Sequence, residues 1–132
     1  MGNGERIGGR LEWELSEKVV DAAFRVHKAL GPGLLESVYE QCLAYELRAV
    51  GLAVQTQVQL PVVYQGIRLE GAFRVDLLVE GRLVIEVKAA ENPSPVHSSQ
   101  LLTYLKLSGR RVGLLINFNV PVIREGLKRL VL

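Results

Sequence analysis

The chain has 132 residues, 48% of them hydrophobic and 23% charged, which is typical of one globular domain with its own core. Its net charge of +2 excludes a general electrostatic case for nucleic-acid binding, so any such case depends on local clusters of charge. Cys42 is the single cysteine, which excludes an internal disulfide. Its apolar neighbours at helical spacing predict a place in the core.

The N-terminal segment is not typical of a targeting signal. Residues 1–10 contain four glycines and three charged residues but no apolar stretch. We expect residues 1–14 to form a flexible tail and residues 15–132 to form a single domain. No apolar run approaches the roughly 18 residues of a membrane span, so we expect a cytoplasmic protein that does not contact a membrane.

Apolar residues at helical spacing predict two helices in the first part of the chain. Ser16 is the predicted N-cap of the first helix, which Gly31-Pro32-Gly33 ends. The second helix is predicted from about Leu35 to Val50, with Gly51 just past its end. This pattern predicts a helical hairpin that packs on a sheet.

Two predicted strands follow. Alternation with a period of two predicts a strand from Val54 to Tyr64, in which Pro61 marks a bulge, an edge or a strand end. Gln65-Gly66 is a turn signal. Ile67 to Val79 is long for one strand, and Gly71 is expected to mark a bulge or bend within it.

Charges interrupt the next two apolar runs. Asp76 lies within the first run, and Glu86 and Lys88 lie within the second. Charged side chains in apolar strands are costly to bury without partners. Such breaks of a local rule occur at functional sites.

The loop between these runs determines whether the carboxylates meet. Opposite residues of an antiparallel pair share a face. A three-residue loop, Glu80-Gly81-Arg82, pairs Val79 with Leu83 and sets Asp76 opposite Glu86, with Lys88 following on the same face. A two-residue loop would turn the two carboxylates to opposite faces.

A third helix and two further strands complete the prediction. Ser94-Pro95 is a strong helix start, and Gly109 closes a helix that ends near Ser108. Val112 to Phe118 is a predicted buried strand. Gly126 to Leu132 is compatible with strand or helix by periodicity, and we expect a short strand.

Two carboxylates converging on a hairpin predict a site for a hard divalent cation, Mg²⁺ first and Mn²⁺ second. The backbone carbonyl of Val87 is a candidate further ligand. Lys88 beside this site can orient or help activate an attacking water, or neutralise charge on a phosphate. That set suits phosphodiester hydrolysis. The alternative is a structural ion pair between Lys88 and Asp76 or Glu86.

Three motifs carry a resemblance to a known superfamily. Asp76 followed by Glu86-Val87-Lys88 resembles the PD-(D/E)xK nuclease motif, although Val75 stands in place of its proline. Gln100-Leu101-Leu102-Thr103-Tyr104 resembles the QxxxY motif of the exonuclease-like branch. Gly33-Leu34-Leu35-Glu36-Ser37-Val38-Tyr39 matches the signature of the GxxExxY protein family, a small prokaryotic group assigned to that superfamily.

The resemblance covers nearly the whole chain and implies an α/β fold, with a restriction-endonuclease-like core whose mixed central β-sheet is flanked by helices. It implies that Asp76 and Glu86 bind metal and that Lys88 is the catalytic lysine. Glu36 would be an additional acidic metal ligand. Its place in the first turn of a helix is the alternative explanation, since the helix dipole favours an acid there.

The resemblance also implies that Gln100 and Tyr104 support catalysis or contact the nucleic-acid backbone. Their alternative is a hydrogen-bonded pair on the helix surface. His97 shares their polar stripe and is a candidate phosphate contact, with a solvent-facing position as the alternative. Tyr39 is expected to pack in the core with its hydroxyl near the site. Two basic pairs, Lys128-Arg129 and Arg110-Arg111, are either solvated faces or phosphate contacts.

These observations predict an Mg²⁺-dependent nuclease that acts on nucleic acid, DNA ahead of RNA. Two alternatives stay open: a non-catalytic nucleic-acid- or protein-binding module that retains the fold, and a structural domain with the ion pair in its core. The near-neutral charge argues against a self-sufficient DNA binder. A homodimer or a larger complex would supply the missing binding surface.

Overall fold

The computed structural model describes residues 10–132. Its three helices are α1 (Arg10–Leu30), α2 (Glu36–Ala49) and α3 (Pro95–Ser108). Its five strands are β1 (Val54–Tyr64), β2 (Ile67–Val79), β3 (Leu83–Lys88), β4 (Val112–Asn117) and β5 (Leu127–Val131), and a 3₁₀ turn, Ile123–Gly126, precedes β5.

The strands form one mixed sheet in the order β1-β2-β3-β4-β5. Only the β3–β4 pair is parallel, and α3 is the crossover that joins these two strands. One apolar cluster lies between the sheet and α1–α2, and a second lies between the sheet and α3. The expected α/β architecture, a mixed central sheet flanked by helices, is confirmed.

The predicted start of α1 is wrong. The helix begins at Arg10, and Ser16 is a buried interior residue whose hydroxyl donates to the Trp13 carbonyl at 2.7 Å. Contacts with β5 stabilise the earlier turns, because the Arg129 guanidinium lies 4.0 Å from the Trp13 ring and 2.7 Å from Glu17. Residues 10–14, assigned to the tail, are therefore helical, and residues 1–9 lie outside the described part.

The ends of α2 and α3 agree with the prediction to within a residue. Ser94 caps α3 by accepting from the Val96 N–H at 3.2 Å, with proline at the first helical position. Gly51 and Gly109 follow the two helices with φ of 90° and 72°. These signals act within a few residues, which is why they can be read locally.

The predicted irregularities of the β1–β2 ribbon are confirmed. The register shifts between Leu60 and Val62, around Pro61, and Gly71 has a φ of 66° on the opposite strand. Gln65 and Gly66 form a two-residue hairpin turn with φ of 52° and 78°.

The C-terminal segment is the predicted strand, since β5 pairs antiparallel with β4. Gly126 precedes it at a very close approach of two backbones. A Cβ at this position would lie 2.0 Å from the Asn117 carbonyl oxygen, so only glycine fits. Cys42 is half-buried and packs against the α1–α2 cluster, close to the expected core position.

None of the helices formed by residues 10–132 combines the length and the apolar character that crossing a membrane requires.

Candidate active site

The register of the β2–β3 hairpin is the predicted one. Val79 pairs with Leu83 across the three-residue loop 80–82, and the next two residue pairs follow in step. Glu80 and Gly81 take up positive φ of 54° and 66°, and the Arg82 N–H donates to the Val79 carbonyl at 3.0 Å. By the same count, Asp76 lies opposite Glu86.

The regular ladder ends one pair before these carboxylates. The Asp76 N–H donates to Glu86 Oε2 at 3.0 Å, and the Val87 N–H donates to Asp76 Oδ2 at 2.8 Å. The two side chains therefore cross the gap where the strands part. Each carboxylate is held by one backbone N–H of the other strand, which fixes both at the same point.

The Val87 carbonyl belongs to the same gap. The N–H and C=O of one strand residue point to the same side, and the Val87 N–H points to Asp76. The neighbouring carbonyl, that of Lys88, points the other way and accepts from the Phe118 N–H at 2.9 Å. Asp76, Glu86 and the Val87 carbonyl thus face one opening.

Strand β1 is also distorted at this level. Gln57 lies outside the β1–β2 ladder and has a φ of 52°, which is rare for a non-glycine residue and concentrates at functional sites. Its amide donates to both oxygens of Glu40, at 2.8 and 3.0 Å, and to Asp76 Oδ1 at 3.3 Å. Val54 packs in the α1–α2 cluster whereas Leu60 packs in the α3 cluster, so the ribbon changes faces here.

Helix α2 brings two more acids toward the opening. Glu36 Oε2 accepts from the Ala89 N–H at 3.3 Å, at the end of β3. Glu40 lies one turn later and reaches Asp76 through Gln57. The sequence prediction missed Glu40, although its i+4 spacing from Glu36 on a predicted helix was a usable signal.

Within residues 10–132, no three side chains of histidine, cysteine, aspartate or glutamate come together as a ready metal-binding group. The central arrangement has two carboxylates, Asp76 and Glu86, plus a backbone carbonyl. Mg²⁺ prefers such oxygen donors and keeps several waters. The donor chemistry therefore fits a hard divalent cation. The Glu36 carboxylate does not form a metal-binding group with Asp76 and Glu86.

The electrostatics of the opening favour positive charge. Burial, and then the neighbouring Asp76 carboxylate, raise the pKa of Glu86 to about 7, against the opposing effects of the Asp76 N–H and Lys88. Burial, with added repulsion from Asp76 and Glu36, also raises the pKa of Glu40. A cation at this point would remove the repulsion among the acids.

Lys88 lies on the Glu86 face of β3 and is half-buried. Among residues 10–132, no carboxylate lies within 4.0 Å of its ammonium group. The structural ion pair with Asp76 or Glu86 is therefore not formed. The Lys88 side chain instead lines a cavity beside the start of α3.

The polar residues of helix α3 differ in how they relate to the carboxylates. The Tyr104 ring stacks on Phe73 with centroids 4.3 Å apart, and burial followed by repulsion from Glu86 and Asp76 raises its pKa. Its hydroxyl is thus within the field of the carboxylates. Gln100 is exposed and has no hydrogen bond to any residue in 10–132, so the alternative of a hydrogen-bonded Gln100–Tyr104 surface pair is not formed.

Tyr39 has a structural position. Its ring stacks on Phe118 with centroids 4.5 Å apart. Its hydroxyl donates to the Gly31 carbonyl at 2.5 Å and accepts from the Leu34 N–H at 3.1 Å. The expected packing is confirmed. The hydroxyl, however, forms hydrogen bonds within the α1–α2 turn and does not reach the carboxylates of Asp76 and Glu86. This turn places Glu36 at the start of α2.

The central hairpin of the mixed sheet brings two carboxylates together, with a lysine on the same face. This arrangement defines the class of nuclease-like α/β domains. A family model described as the PD-(D/E)XK nuclease superfamily matches residues 13–130, and the chain belongs to that superfamily. Comparison with curated proteins and with solved structures gives no significant match. The narrower GxxExxY assignment stays a prediction.

Proposed function

We propose that this protein is a divalent-metal-dependent nuclease that hydrolyses phosphodiester bonds of nucleic acid. One observation carries the proposal: Asp76 and Glu86 cross at the strand gap, with Lys88 on the same face and outside any contact ion pair within residues 10–132. A purely structural lysine in a buried strand would be expected to pair with the nearest carboxylate.

Asp76, Glu86 and the Val87 carbonyl would hold Mg²⁺, or Mn²⁺ in its place. Glu36, the first residue of α2, whose carboxylate lies beside the end of β3, would be an additional ligand reached by a change of its side-chain rotamer. When bound, the cation supplies positive charge that stabilises a phosphate group in the transition state.

The chain's own residues would do the rest. The Lys88 ammonium group would orient or help activate the attacking water, or neutralise charge that develops on the phosphate. Gln100, His97 and Tyr104 would contact the substrate backbone near the carboxylates. Gln100 is exposed, and His97 lines the cavity beside Lys88.

DNA is the proposed first substrate, ahead of RNA, and the cytoplasm the proposed location. The chain's net charge of +2 is small for a tight nucleic-acid binder. A second copy of the chain or a larger complex would supply further binding surface.

The test is a Mg²⁺ and Mn²⁺ titration followed by cleavage assays on single- and double-stranded DNA and RNA. We expect metal-dependent cleavage that Lys88→Ala abolishes with its melting temperature within a few degrees of wild type. Lys18→Ala, an exposed change on α1, is the matched control. Absence of metal binding at millimolar concentration, or cleavage unaffected by Lys88→Ala, contradicts the proposal.

A non-catalytic binding module is the second candidate. It is favoured by the backbone N–H groups that already occupy one oxygen of Asp76 and one of Glu86. Nucleic-acid or protein binding that persists in EDTA, is unchanged by Asp76→Asn and comes with no cleavage would support this candidate over the nuclease.

A further inference from the structure

A cavity of about 250 Å³ lies on the α3 face of the sheet, next to Lys88. Its walls come from the start of α3, the end of β4 and the segment leading into β5. Its lining residues include Lys88, Ser94, His97, Ser98, Leu115 and Lys128.

The register of the sheet places two lysines on this face. Glu86 of β3 pairs with Leu115 of β4, and Leu115 pairs with Lys128 of β5. Side chains in such a row share a face, so Lys128 lies two strand spacings, roughly 10 Å, from Glu86 on the same side. Lys88 lies two residues after Glu86 on the same face and lines the cavity.

The cavity is rich in groups that bind anions. Besides Lys88 and Lys128, Ser94 and Ser98 line it, and Glu125 is its one acidic lining residue within residues 10–132. The Nδ1 atom of His97 is buried and has no hydrogen-bond partner in the described part of the chain. Buried polar atoms without a partner are rare, and rotation of the His97 ring would bring this one to a ligand oxygen in the cavity.

The walls are held in place by contacts of Asn117. The Asn117 side chain accepts from the Ala90 N–H at 3.0 Å and donates to the Ala90 carbonyl at 2.8 Å, which ties the segment after β3 to β4. Gly126 permits the close approach of its backbone to Asn117 on the other side. The cavity is therefore part of the fold and not a gap between loose surface side chains.

We propose that this cavity binds a phosphate group of the substrate strand, next along the strand to the phosphate at Asp76 and Glu86. Lys128 and His97 would bind its oxygens, and Lys88 would lie between the two phosphates. The identification of the phosphate as part of a nucleic-acid strand rests on the proposed nuclease function, whereas anion binding by the cavity does not.

The first test is a titration of the metal-free protein with inorganic phosphate, followed by two-dimensional NMR. We expect saturable shifts of the amide signals of residues 96–98 and 127–128, and affinity on the order of tenfold lower in Lys128→Gln. Lys106→Gln removes the same charge from the exposed side of α3, away from the cavity, and should bind phosphate as wild type does.

The second test measures cleavage of a DNA strand. Lys128→Gln should raise KM on the order of tenfold with a smaller effect on kcat, and should lower the slope of log affinity against log salt by about one. Strands that carry a phosphate at the 5′ end, at the 3′ end or at neither end show whether the cavity takes a terminal or an internal phosphate.

The two proposals fail separately. Saturable phosphate binding that depends on Lys128, without cleavage in any metal, supports the cavity and overturns the nuclease. Metal-dependent cleavage, with Lys128→Gln indistinguishable from Lys106→Gln in KM and in phosphate affinity, overturns the cavity and leaves the nuclease standing. Phosphate binding by the cavity is also contradicted if amide signals near every lysine shift linearly with phosphate concentration, without saturation.

Discussion

The backbone N–H of Asp76 donates to the Glu86 carboxylate at 3.0 Å, at the point where the β2–β3 ladder ends. Without metal, this bond and its counterpart from Val87 to Asp76 hold together two acids, of which Glu86 is buried and Asp76 half-buried. These backbone donors offset part of the repulsion between the two carboxylates. Several measurable consequences depend on that balance.

The stability of the metal-free protein should fall as the pH rises through neutrality. Folding raises the pKa of Glu86 from 4.5 to about 7. The folded state therefore holds the proton more tightly, and this contribution is complete below pH 4.5 and lost as the pH rises through 7. It amounts to about 3 kcal/mol. Chemical denaturation in EDTA between pH 5 and 8.5 (roughly the window in which the group titrates) measures it.

Glu86→Gln should flatten this pH dependence and raise the free energy of unfolding at the alkaline end. Glu14→Gln, an exposed change on α1, should leave the wild-type slope in place. If the free energy of unfolding changes with pH equally in Glu86→Gln and in wild type, the burial of an ionisable Glu86 does not cause this pH dependence.

Metal binding should release protons near neutral pH, because a cation needs Glu86 ionised. Calorimetry with Mn²⁺ in two buffers of different ionisation enthalpy should show release of roughly half a proton at pH 7, falling toward zero at higher pH.

Asp76→Asn should weaken Mn²⁺ binding at least about tenfold. Asp21→Asn, exposed on α1, is the control, and equal affinities in the two variants would remove Asp76 from the ligand set.

Gln57→Glu should destabilise the metal-free protein and make it depend on divalent cations. The wild-type amide donates to Glu40 and to Asp76. A glutamate there would replace a donor with a third negative charge and cost about 1 kcal/mol at this exposed position. Melting curves in EDTA and in millimolar Mg²⁺ measure the effect, and Gln55→Glu on the exposed part of β1 is the matched change. Equal melting temperatures for the two variants would contradict the bridge.

Tyr39→Phe should lower the free energy of unfolding by about 1–2 kcal/mol. The variant keeps the ring stacked on Phe118 but leaves the Gly31 carbonyl and the Leu34 N–H without their partner. Tyr45→Phe removes a hydroxyl from an exposed ring and should have little effect. If the two variants unfold alike, the hydroxyl does not hold the α1–α2 turn.

Local signals in the chain were sufficient for much of the fold. The cap at Ser94, the glycines after α2 and α3, and the hairpin turn at Gln65-Gly66 act over a few residues and appear where predicted. The start of α1 was missed because partners in β5, above all Arg129, stabilise its first turns. Such partners lie more than a hundred residues away and leave no local signal.

The candidate site also has some features that local sequence predicts and others that depend on distant contacts. A three-residue loop and the two-residue period of a strand are sufficient to set Asp76 against Glu86 and to put Lys88 on their face. The N–H bonds across the strand gap and the bridge through Gln57 were not predictable, because they depend on a break in the ladders. Glu40 reaches Asp76 through that bridge.

The sequence by itself determined the hairpin register, the order of the elements and the set of acids and lysine that point to a nuclease, because each depends on neighbours along the chain. Only the tertiary structure decided how the carboxylates are held, that Lys88 stays out of an ion pair with them, and that a lysine-lined cavity adjoins it. These depend on where α2, α3 and β5 pack against the sheet, and packing joins residues that the sequence keeps far apart.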